Sequence, residues 1–187
     1  MSDALRKQGT ALENQFFQHV DQQLIDKMRK NIESVSKREA LSTVSNIKDQ
    51  KVLDALLALD IDASAFAALS YVPVAAVAWA DGKLDANERA AILKAAEQHG
   101  VHAGRPGYQV LEQWLQQAPP AAVETTWRNY VAAVKKEADP ASFASLRNEV
   151  MGLAENVANA SGGILGMATM SAAEKAKLTE LAQAFDG

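Results

Sequence analysis

Cysteine is absent from the 187 residues, which excludes disulfides, a thiolate nucleophile and any cysteine-ligated zinc or iron–sulfur centre. Glycine and proline are scarce, at 10 and 5 residues, and aromatics make up only 6%. Few residues are therefore present that interrupt helices or open turns. There is no basic excess either: 19 Lys and Arg against 23 Asp and Glu leave a net charge of −4. That balance argues against a dedicated nucleic-acid binder, which needs a concentrated basic surface. Period-two runs of β-branched residues are missing, so no strand is expected.

What is present points one way. Hydrophobic residues are 48% and charged residues 22% of the chain, close to an average globular protein and incompatible with disorder throughout. Alanine, the best helix former, accounts for 36 residues. The expected fold class is all-α: a compact bundle of about six helices, preceded by a long N-terminal helix and two short ones.

The first ten residues carry Arg6 and Lys7 with no apolar core behind them, unlike a signal peptide. The only stretch that could be taken for a bilayer span is 63–80, eighteen residues without a charge. Eight of them are Ala, Pro73 interrupts the run, and its flanks are Asp60, Asp62 and Asp81. A span needs about twenty strongly apolar residues with basic flanks. The expectation is instead a central helix buried by others, in a cytoplasmic protein with no direct membrane insertion.

Leu12, Phe16, Val20, Leu24, Met28, Ile32 and Val35 recur at spacings of three and four. They form one apolar stripe on a helix over about 4–35, either laid across a bundle or paired in a coiled coil. Short helices are expected over 38–44 and 46–59, the second capped by Asp49, with a turn at Asp60–Ile61–Asp62. The composition shifts there, which divides the chain into an N-terminal helical extension, 1–62, and a helical domain, 63–187. In the domain, helices are read over 63–80, 85–99, 108–117, 120–137 and 140–159, with a last one opened by Ser171. Trp79, Trp114 and Trp127 all fall on apolar faces and read as core anchors.

The chemistry-bearing candidates are few. His99 and His102 lack a third ligand nearby in sequence, and His is favoured at a helix end in any case. No nucleophile elbow and no phosphate-cradling Gly-rich loop is present. The basic cluster Arg29, Lys30, Lys37 and Arg38 is interrupted by Glu33 and reads as a solvated face.

The most informative stretch runs from Val77 to Arg89, Val-Ala-Trp-Ala-Asp-Gly-Lys-Leu-Asp-Ala-Asn-Glu-Arg. Asp85 and Glu88 form a capping box, and both acids suit the positive end of a helix. Counted from Gly82, Leu84 and Glu88 also sit at the offsets of the back half of an EF-hand loop, with Asp81 just ahead. The front half fails, because Val77 and Trp79 stand where acidic ligands should. Three carboxylates cannot by themselves supply the roughly six to eight oxygens calcium takes. Two readings stay open: a turn with a capped helix, or a weak divalent-cation site at Asp81, Asp85 and Glu88. Near the end, Ser161–Gly162–Gly163 and Ser171-x-x-Glu174 loosely repeat the arrangement, with Glu174 opposite Glu88.

On these residues, the Ala-Asp-Gly-x-Leu-Asp-x-x-Glu-Arg core within 75–92 and the Ser161–Gly166 turn with its Ser171-x-x-Glu174 helix, the chain resembles the TerB-like family over roughly 64–186. The resemblance implies an all-helical domain with acidic loops. It also implies an association with tellurite resistance and stress responses, no established enzymatic chemistry, and an acidic metal site at Asp81, Asp85, Glu88 and Glu174. The long N-terminal extension, and Ser171 in place of a second Asp, depart from the family pattern.

The leading functional expectation is a non-enzymatic protein-interaction or divalent-cation-sensing module. It would have a protein partner or form a homo-oligomer through the first helix, and need no cofactor beyond a candidate divalent cation. The alternatives are a metal-dependent hydrolase or phosphotransferase using Asp81, Asp85 and Glu88, and a structural subunit of a larger assembly.

Overall fold

The computed structural model describes residues 23, 26–84, 86–161 and 170–186, with the backbone alone at 87, 157, 160 and 161. The stripe residues up to Leu24, Asp85 and the turn after Ser161 lie outside that set. The described residues form eight α-helices and no strand, as the composition required.

Helix α1 covers residues 26–45 without a break. The sequence reading had separated 38–44 as its own helix, but nothing near residue 36 stops a helix. A Glu33–Lys37 ion pair at 3.1 Å spans the supposed gap. The stop comes at Asn46, whose φ of 55° is the left-handed cap conformation. Helix α2 (Gln50–Leu57) follows, with Asp49 capping it by accepting from Lys51 N at 2.9 Å and Val52 N at 3.4 Å. Arg38 ties α1 to α2 through Asp54, Nε to Oδ1 at 2.7 Å.

The Ala-rich stretch makes a 3₁₀ turn, Phe66–Tyr71, and then α3 (Val72–Ala78). A single helix over 63–80 was expected, and Pro73 explains the difference. It has no N–H to donate backwards, so the chain enters as 3₁₀ and restarts with the proline in the first turn of α3. Val72, Pro73, Val74, Ala75 and Val77 are all buried, and α3 packs against α5, α6, α7 and α8. This is the bundle's central strut, apolar on every side as a fully enclosed helix must be. Among the described residues, no helix is long and apolar enough to cross a membrane.

Around α3 stand α4 (Ala86–Gln98), α5 (Pro106–Gln116), α6 (Ala121–Glu137), α7 (Pro140–Ser161) and α8 (Ala172–Ala182). Asp139 caps α7 and Ser171 caps α8, both through backbone N–H groups. The main core runs across residue 62. Leu41, Leu53, Leu56 and Ile61 belong to the same cluster as Trp127 and Val131, and α2 lies on α6. The front part is therefore packed on the rest from Leu41 onward. A smaller cluster around Tyr71, Val74, Ile92 and Leu111 fills the side toward α4 and α5.

Candidate functional site

The Trp79-to-Arg89 elbow forms where α3 ends. Gly82 takes a φ of 81°, which only glycine adopts freely, and its N–H closes the turn on Trp79 O at 2.9 Å. Trp79 Nε1 donates to Trp114 O at 2.9 Å, anchoring the elbow to the last turn of α5. Asp81 Oδ1 accepts from Lys83 N at 2.9 Å, an aspartate bracing its own turn. Glu88 is half-buried in the first turn of α4 and is not a free group. Asp85 lies outside the described residues.

Glu174 sits in a complete capping box. Its Oε2 accepts from Ser171 N at 2.6 Å, while Glu174 N donates to Ser171 Oγ at 3.2 Å. The carboxylates of Asp81 and Glu174 are thus each engaged by backbone donors of their own turn. Among the described residues, no group of three or more His, Asp or Glu side chains is placed to hold a metal ion.

A second candidate is a surface. Among the described residues, the large apolar side chains that stand exposed are Met28, Ile32, Val35 and Val44, all on α1, with Ile32 at 67%. Helix geometry explains why. At 3.6 residues per turn, Met28, Ile32 and Val35 lie about 130° round the helix from Leu41 and Ser45, which are the α1 residues buried against the bundle. Of the two arrangements the sequence leaves open for this stripe, its described part, Met28, Ile32 and Val35, is not laid on the bundle but points away from the core.

A third feature carried no sequence signal beyond small residues at helical spacing. One face of α4 and one face of α7 border a groove of about 700 Å³, floored by Tyr71. Tyr71 is 1% exposed, and burial, with a contribution from the Glu149 charge, pushes its phenol up to about 12.

Compared with known protein families, with characterised proteins and with solved structures, the chain gives no match in any of the three.

Proposed function

We propose that this protein is a non-enzymatic, cytoplasmic helical module of the TerB-like kind, and that it works by self-association through α1, with a second copy of the chain as the occupant of the exposed stripe. The tellurite and stress association implied by the resemblance is part of this proposal. The observation that carries it is the outward apolar face of α1. Three large side chains on one line of an exposed helix are an unusual expense of solvation unless something covers them, at about 2 kcal/mol for each side chain buried. In the sequence the same stripe continues backward through Leu24, Val20, Phe16 and Leu12. A narrow stripe of that length is the seam of a helix pair, and an identical helix offers a self-complementary one.

Sedimentation of the full chain tests the reading. The wild type is expected to sediment as a dimer or higher oligomer at micromolar concentration, and Ile32→Asp as a monomer with an unchanged helical spectrum. A wild type that stays monomeric at every accessible concentration overturns the proposal.

A further inference from the structure

We infer that the two α1 helices pair antiparallel, with Ile32 of each copy against Val35 of the other and Arg29 beside Glu39 of the second copy. The inference rests on the reading that α1 self-associates, and goes beyond it by fixing the direction and register of the pair.

The spacing of the stripe limits the choices. Met28, Ile32 and Val35 are separated by four and then three residues, the alternation of the seam positions in a helix pair. One step further, four residues past Val35, the same alternation reaches Glu39. Seven residues bring a helix back to within about 20° of the same side, so Glu39 stands in line with Ile32. It is exposed, as the stripe is. The described part of the seam is thus three apolar positions followed by an acidic one at the end nearer Leu41.

Charge then selects the direction. In a parallel pair aligned in register, each position meets its own counterpart, and Glu39 faces Glu39. Like charges set opposite one another disfavour that arrangement. With one helix reversed and Ile32 placed against Val35, Met28 falls opposite Glu39, and Arg29 borders that layer. Elsewhere on α1, Lys37 is held by Glu33 at 3.1 Å and Arg38 by Asp54. Arg29 and Glu39 are both exposed and join none of the ion pairs among the described residues. An antiparallel pair gives each of them the other, and its two-fold axis makes the contact twice. The central layers, Ile32 on Val35 and Val35 on Ile32, stay apolar.

The chain has no cysteine, so Ser36→Cys and Thr43→Cys, made separately in the full chain, each carry one spin label per copy. Pulsed dipolar spectroscopy of the two dimers reads the direction. In the antiparallel register, residue 43 lies about 28 Å along the axis from its counterpart and residue 36 about 8 Å, at about 1.5 Å per residue. The Thr43→Cys distance is therefore expected to exceed the Ser36→Cys distance by about 10 Å or more. In unlabelled protein, Arg29→Glu and Glu39→Lys should each weaken the dimer about tenfold in sedimentation, and the double variant should restore it. Equal distances at the two sites, or a double variant no tighter than either single one, overturn the inference while leaving self-association standing. A wild type that is monomeric at every accessible concentration removes the self-association reading and this inference with it.

Discussion

Helices α1 and α3 use similar apolar residues and end in opposite places. In α3 seven residues suffice, since valines, alanines and a proline meet other helices on every side. Helix α1 has at least twenty residues, yet Met28, Ile32 and Val35 face water. Apolar periodicity reports that a face wants to be covered. It does not say whether the same chain covers it. For α3 the cover is intramolecular; for α1 the bundle takes only the Leu41 and Ser45 side.

Substitutions at matched positions sharpen this contrast. The largest effect is expected from Val74→Asp on α3, where the side chain is 1% exposed. An unpaired carboxylate there should cost about 4 kcal/mol or more, read from urea unfolding, and a loss under 1 kcal/mol would break the picture of α3 as an enclosed strut.

Between the extremes lie elements held by polar bonds at their ends. Ser171→Ala removes the hydroxyl half of the α8 capping box and should destabilise by about 1 kcal/mol, seen as a lowered thermal midpoint.

A similar loss, about 1 kcal/mol, is expected from Glu124→Gln at neutral pH, because α6 and α8 are joined there. Burial alone would raise the Glu124 carboxyl. The hydrogen bonds from Lys177 and Arg128 together outweigh it and hold the group below its ordinary value. A carboxyl depressed by folding contributes above its unfolded value, about 4.3, and the contribution fades as pH falls through the folded value. The stability gap between wild type and Glu124→Gln should accordingly persist at pH 7 and close as pH falls through the lowered folded value. Lys177 behaves in mirror image. Its partners Glu124 and Glu180 overcome burial and raise it, so its contribution is complete below about 10.4 and disappears as pH rises through the higher folded value.

The smallest effect belongs to Ile32→Asp. Measured on dilute, monomeric protein, it should shift unfolding by no more than about 0.5 kcal/mol, because the side chain it replaces is exposed within the chain. A large loss in the monomer would mean that α1 is covered by its own chain.

Much of the architecture was legible from residues close together. Asp49 and Ser171 with Glu174 were readable as caps because a cap acts on backbone two or three residues away. The burial of 63–80 was readable from its lack of charge. The split of that stretch at Pro73 was available in the sequence and outweighed by its high alanine content. The acidic elbow was legible as a turn, whereas the metal reading of Asp81 and Glu174 leaned on carboxylates that here hold their own backbone. The groove was not legible, since Tyr71, Ala95 and Glu149 come from three separate elements.

The order of residues settled where helices begin and end and that no strand would form, since propensity and capping are exchanges between near neighbours along the chain. Which side of α1 went inward, that Trp79 would lean on Trp114 thirty-five positions away, and that small residues on α4 and α7 would frame a hollow were settled only when the helices packed. Those outcomes depend on how distant surfaces share a limited interior, and no local pattern carries that information.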